Sequence, residues 1–247
     1  SEDAAFAMQW FEAKLQQTQK TVDELLAQFR LSEALKTIYG LVWDDFCSWY
    51  LEWIKPGFEQ PIASDVYNKT IELYDSLLHL LHPFMPFITE EIHHSIKTQT
   101  EDLCIKSYIA PSAINNEVLL AGDLLQKVIS TLRDARNKNQ IKPKDAIDLL
   151  IQANNAPAYS SIKNILAKQI NAKTIELTSD SPSGAIVVAL EKDKFYIIAE
   201  KAIDTDALKE SLLKDLAHQQ GFLQSVDKKL NNEKFVHRAE IIREKGT

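Results

Sequence analysis

The 247-residue chain is poor in the residues that build most recognisable active sites: it has two cysteines and six scattered glycines. Cys47 and Cys104 lie far apart. They are too few for a zinc site built on paired Cys-x-x-Cys units, and they imply no disulfide framework. The glycines form no phosphate-cradling loop, and neither Gly-x-Ser-x-Gly nor His-Glu-x-x-His occurs. No apolar run approaches the roughly 20 residues of a membrane helix, and no signal pattern opens the chain. The expectation is a cytoplasmic protein without a membrane partner, a catalytic centre, a metal or a cofactor of its own.

What is present is helical patterning. Hydrophobic residues make up 45% and charged residues 26%, an ordinary globular balance. The densest stretch is Ser32–Pro56, with apolar stripes at Leu35, Ile38, Val42, Phe46, Trp49, Trp53 and at Tyr39, Trp43, Cys47, Tyr50, Ile54. Two stripes predict a helix packed on two sides, with Ser32 as N-cap and Cys47 a buried thiol; Trp43, Phe46, Trp49, Tyr50 and Trp53 read as core first, and as a stacking platform for bases where an end of the stripe is exposed. Asp44, Asp45 and Glu52 form its polar edge. A helix over about 4–29 precedes it, with Phe11, Leu15, Thr18, Val22, Leu25 and Phe29 on one face. Helices are predicted over about 64–81, with Tyr67, Ile71, Tyr74, Leu78 and Leu81 inside, and over about 86–97. Another is predicted from Asn116 to Asn139, with Leu120, Leu124, Val128, Thr131 and Ala135 inside. His82, His93 and His94 read as solvated or capping residues, since adjacent histidines point apart on a helix and no carboxylate is expected at ligand spacing.

Composition changes after Pro143. Ala146–Gln152, Lys173–Thr178, Gly184–Leu190 and Lys194–Ala199 read as strands, the last two joined by a turn at Lys192-Asp193, and 158–169 reads as a helix. From Asp204, Leu212, Leu216, Leu223, Val226 and Leu230 keep a heptad seam with Gln219. What returns after Asn231-Asn232 is shorter, so the hairpin is expected to be truncated here or completed by another chain.

Net charge is −7, yet positive charge gathers in two places. Lys127, Arg133, Arg136, Lys138, Lys142 and Lys144 face one acid, Asp134; Lys228, Lys229, Lys234, Arg238, Arg243 and Lys245 face Glu233, Glu240 and Glu244. Each is a solvated face or one of two clamps on an extended polyanion.

Four stretches carry a resemblance to the valyl-tRNA synthetase family. Ser32–Pro56 resembles the central helix of its anticodon-binding domain. Leu81–Ile92 (LHPFMPFITEEI) is similar to the signature that follows, which related class I synthetases share. Val128–Pro143 (VISTLRDARNKNQIKP) looks like its Ile-x-x-x-Arg-x-x-Arg helix. Lys228–Ala239 (KKLNNEKFVHRA) resembles the turn of its C-terminal coiled-coil hairpin. The resemblance implies a mainly α fold: an anticodon-binding helix bundle over 1–143, a small α/β subdomain over 144–202, and an incomplete antiparallel coiled-coil tRNA-binding arm over 203–247.

The same resemblance implies a partner, valine tRNA, and a parent that acts as a monomer, while the open coiled-coil seam of this chain is expected to offer a contact surface. The tRNA-binding candidates are Lys127, Arg133, Arg136, Lys138, Lys142 and Lys144, with Lys228, Lys229, Lys234 and Arg238 on the arm. The parent enzyme is an ATP- and Mg-dependent valine–tRNA ligase. Its His-Ile-Gly-His and Lys-Met-Ser-Lys-Ser type motifs do not occur here, so the chain itself is expected to be non-catalytic. The corresponding region of an isoleucyl- or leucyl-tRNA synthetase is the near alternative. A helical scaffold that binds protein through an open coiled-coil seam is the distant one.

Overall fold

The computed structural model describes residues 2–57, 59–97, 101–107, 113–199 and 205–231. The first helix, α1 (Glu2–Ala27), buries Phe6, Trp10, Phe11, Leu15 and Val22, at successive spacings of four, one, four and seven. These place one apolar face against the rest of the bundle. The chain then reverses at Phe29, whose φ is +58° and whose side chain is solvent-exposed. Phe29 is therefore not the inner residue that its spacing predicts.

The next three segments form one continuous helical rod: α2 (Leu31–Gly40), a π-helical segment (Leu41–Tyr50) and α3 (Leu51–Ile54). Ser32 lies inside its first turn, and Arg30 stands at the N-cap position, its guanidinium paired with Glu33. In the π segment the amide of Leu51 bonds back to the Phe46 carbonyl, and the Ser48 hydroxyl donates to the Trp43 carbonyl at 2.9 Å. Each is a step of five residues rather than four. The buried positions follow that wider turn: Ala34, Ile38, Leu41, then Phe46, Tyr50, Trp53 and Ile54. Of the two predicted stripes, Leu35, Tyr39, Trp43 and Cys47 are exposed. The rod is not sandwiched along its whole length.

Residues Ser64–Leu81 form α4, and Pro86–Ile96 form α5, which starts with proline in its first turn, where no amide donor is needed. In α4 the inner residues are Val66, Leu73, Leu77, Leu78 and Leu80, while Tyr67 is exposed. In α6 (Asn116–Lys138) they are Leu119, Leu125, Val128, Ile129, Leu132 and Ala135, while Leu120 is exposed. Asn115 caps α6, its side-chain oxygen accepting from the Val118 amide at 3.3 Å. Gly122 lies in the middle of α6 because a Cβ there would fall on Cδ1 and Nε1 of Trp10. Trp10 in turn packs on Trp53, ring centroids 4.5 Å apart, so one glycine seats the aromatic centre of the bundle.

After α6 come β1 (Ile147–Gln152), a 3-10 turn at Ala156–Tyr159, α7 (Lys163–Ile170), β2 (Ala172–Leu177), β3 (Ile186–Leu190) and β4 (Asp193–Ala199). The sheet order is β2-β1-β4-β3, with β1 and β2 parallel across α7 and the other pairings antiparallel. Ile147, Leu149 and Ile151 alternate inward and share a core with Ile162, Ile165, Leu166 and Ile170. The β3–β4 turn is Glu191-Lys192, one residue earlier than predicted, with Glu191 at φ +54°. The last helix, α8 (Thr205–Leu230), carries the heptad seam, of which Leu216 and Leu223 are exposed. The predicted returning arm lies outside the described residues.

Replacing a helical glycine by alanine ordinarily stabilises a helix by about 1 kcal/mol. Gly122→Ala is expected to do the opposite, lowering stability by about 2 kcal/mol because the indole of Trp10 must move within a packed core. Urea unfolding measures the sign directly, and a gain in stability would contradict the proposed packing.

Candidate functional site

The basic end of α6 meets the sheet unit, and its residues divide into two kinds. Lys127, Arg133, Lys138, Lys142 and Lys144 are exposed. Lys127 pairs with Glu191 at 3.0 Å, and Arg133 donates to the Gln169 side chain at 2.9 Å. Arg136 differs, being only 4% exposed. Its guanidinium donates to the Ile170 carbonyl, to those of Lys142 and Asp145 at 2.6 Å each, and to that of Pro143 at 3.4 Å. Burial pushes its pKa below the ordinary guanidinium value, with Asp145 acting in the opposite direction. A side chain already spent on carbonyls cannot also clamp a phosphate. Arg136 therefore holds the end of α6, the 142–145 turn and the end of α7 together, in place of the phosphate contact expected of it.

Local backbone prepares this latch. α6 ends with Gln140 in the left-handed region, and Asn139 caps the Ala135 carbonyl with its own amide at 2.8 Å. The chain turns so that Ile141 is buried and the Lys142 carbonyl faces Arg136. On its other side α7 docks on the end of the rod, Lys168 donating to the Lys55 carbonyl and Gln169 to that of Glu52 at 3.0 Å. A groove of about 330 Å³ remains at the junction, lined by Arg133, Arg136, Asn137, Pro143 and Gln169 among others. From the second basic cluster, Lys228 is exposed on α8 and Lys229 belongs to the same helix. Lys234 and Arg238 lie outside the described residues.

A feature that periodicity assigns to the core lies at the surface. Tyr39 and Trp43 are 61% and 59% exposed, with rings stacked 6.4 Å apart at an interplanar angle of 13°. Tyr39 belongs to the last turn of α2 and Trp43 to the first turn of the π segment, so the pair sits where the helical pitch widens.

The histidines depart from expectation as well. His93 is buried, with Nδ1 against Asp75 and Nε2 at 3.1 Å from the Glu101 carbonyl. Asp75 also accepts from Lys97 and Lys106 at 2.8 Å each. Burial alone would raise the Asp75 pKa, but hydrogen bonds from Lys106, Lys97 and His93 outweigh it and bring it down to about 2. His94 is exposed, yet it has two carboxylates beside it: Nε2 is 3.1 Å from Glu90 and 2.9 Å from Asp102.

Two outcomes follow from these contacts. Arg136→Ala strands several carbonyls and should cost roughly 3 kcal/mol. It should also separate melting of the sheet from that of the bundle in calorimetry, whereas a single unshifted transition would refute the latch. Asp75 has a depressed pKa, so its stabilisation is complete above its unfolded value of 3.8 and is lost as pH falls through about 2. Asp75→Asn should therefore destabilise by about 3 kcal/mol at neutral pH and flatten the acid limb of the stability curve. An unchanged acid limb would show that the contacts contribute nothing.

Comparison with known proteins bears on all of these elements. Residues 8–151 match the family described as the anticodon-binding domain of tRNA ligase. The chain is 38% identical to a valine–tRNA ligase of Phocaeicola vulgatus over 240 residues, and 35% identical to one from Parabacteroides distasonis over 240. A more distant valine–tRNA ligase, from Prochlorococcus marinus, is 24% identical over 257 residues. The first two alignments cover 96% of this chain and 27% of each relative, so the chain spans about a quarter of their length. With a family match running from α1 through the bundle into β1, the chain belongs to the anticodon-binding domain family of tRNA ligases.

Proposed function

We propose that this chain is the tRNA-recognition portion of a valine–tRNA ligase and binds the anticodon arm and outer corner of valine tRNA. The observation that carries the reading is the exposed Tyr39–Trp43 stack on a bundle that matches the anticodon-binding family. Bases of a tRNA loop are unstacked enough to lie on such a platform, and base–aromatic stacking tolerates any base. Arg133, Lys138, Lys142 and Lys144 supply exposed positive charge near the junction for the phosphate backbone, which positions the nucleic acid without reading its sequence. The arm, through Lys228, Lys229, Lys234 and Arg238, reaches the outer corner of the tRNA. Valine specificity is supported by the three relatives named above, each of which is called a valine–tRNA ligase.

In this reading the parent protein is a cytoplasmic, monomeric, ATP- and Mg-dependent ligase, and its chemistry belongs to segments other than this one. The chain on its own binds tRNA and performs no valine-dependent exchange of ATP with pyrophosphate.

Fluorescence titrations against valine tRNA, isoleucine tRNA and a polyanion control test the proposal. Binding should prefer valine tRNA and weaken steeply with salt. Trp43→Ala should weaken it about tenfold with its salt slope unchanged, as loss of one stacked base does. Arg133→Glu should weaken it and lower that slope. Equal affinity for the polyanion, or indifference to both substitutions at low salt, would overturn the reading.

A further inference from the structure

The end of α5 and the 101–107 segment bring three ligand-type side chains to one point, in a place the tRNA reading does not use. Glu90 and His94 are one turn apart on α5, and Asp102 comes from the neighbouring segment; one ligand atom from each lies within 4.8 Å of the others. His94 Nε2 faces two carboxylates at once, Glu90 Oε1 at 3.1 Å and Asp102 Oδ1 at 2.9 Å. One ring nitrogen carries at most one proton, so it cannot donate fully to both, and the two carboxylates repel each other. A dication at their point of convergence satisfies all three.

The spacing fits such an ion. With bonds of about 2.1 Å, two adjacent ligands stand about 3.0 Å apart on an octahedral ion and about 3.4 Å apart on a tetrahedral one. Both measured separations lie within 0.1 Å of the octahedral value, so the spacing fits an octahedral shell completed by water.

The ligands are also held in place from outside. Both oxygens of Glu90 face the Leu103 amide, at 3.0 and 3.1 Å. Leu103 is itself buried. On the other side of Asp102, the Glu101 carbonyl lies against buried His93, and Lys106 ties the segment to Asp75. Asp102 is thus suspended between two anchors, the kind of outer support that orients metal ligands. A cavity of about 340 Å³, lined by His82, Glu90, His94 and Cys104, adjoins the cluster and leaves room for further ligands or water.

We propose that Glu90, His94 and Asp102 form a binding site for one divalent transition-metal ion of the zinc class. One imidazole with two carboxylates favours zinc, cobalt or nickel over magnesium, which prefers an all-oxygen shell.

Calorimetric titration of the full chain with zinc(II) in a non-chelating buffer, repeated with cobalt(II) followed by visible absorption, tests the site. One equivalent is expected to bind and to raise the Tm. His94→Ala and Asp102→Asn should each weaken binding at least tenfold, with unaltered circular dichroism in the metal-free protein. Glu90→Gln, which keeps an acceptor for the Leu103 amide, should do the same. His218→Ala, an exposed histidine on α8, should leave it unchanged. Absence of saturable binding would overturn the site, as would full affinity in His94→Ala or loss of affinity in His218→Ala. None of these readouts involves tRNA, so a failure here leaves the tRNA reading standing, and the reverse.

Discussion

The guanidinium of Arg136 is buried among the carbonyls of Ile170, Lys142, Pro143 and Asp145, and the geometry around it radiates from that point. A buried cation is expensive unless its donors are matched, and a planar fork can serve several carbonyls at once where an ammonium cannot. By joining α6, the turn into β1 and the end of α7, this residue fixes where the sheet unit stands on the bundle. The docking of Lys168 and Gln169 on the end of the rod completes the joint from the other side. Arg133, one turn earlier on the same helix, stays at the surface.

The rod shows how a small change of helical pitch redistributes chemistry. Had α-helical spacing continued past Gly40, Trp43 and Cys47 would share a face with Tyr50 and Ile54. The five-residue steps of the π segment bring Phe46 and Tyr50 against Phe11, at centroid distances of 5.1 and 5.0 Å, and leave Trp43 outside with Tyr39. The same adjustment serves core and surface: tight aromatic packing on α1 and an exposed platform on the opposite side. π-helical turns are rare, and they are frequent at functional sites.

Much of the fold was legible because periodicity and punctuation are local. The span of α4, the start of α5 at Pro86 and the four strands follow from spacing, proline chemistry and alternation. Which face of a helix turns inward was legible in part: Phe11, Leu15 and Val22 of α1 are buried as their spacing predicts, whereas Tyr67 of α4 and Leu120 of α6 are exposed. Leucines at 119, 120, 124 and 125 offer α6 two plausible seams, and the seam is decided by Trp10 pressing on Gly122. The basic cluster was legible as charge, but not the division within it: Arg133 and Arg136 look alike in sequence, and only the carbonyls that converge on Arg136 set them apart. The expectation that no carboxylate stands at ligand spacing to the histidines fails at Glu90, four residues before His94, and Asp102 reaches them only through the fold.

The amino-acid sequence by itself determined the helical class, the change to strands after Pro143, the uneven charge and, through the family match over 8–151, membership of an anticodon-binding family. These are properties of neighbours along the chain, where hydrophobic period and residue chemistry act directly. Tertiary structure alone decided which tryptophan faces water, which arginine is a latch, and which histidine is buried and which meets two carboxylates. Each of those depends on groups brought together from distant positions, and their competition for the same interior space has no signature in local order.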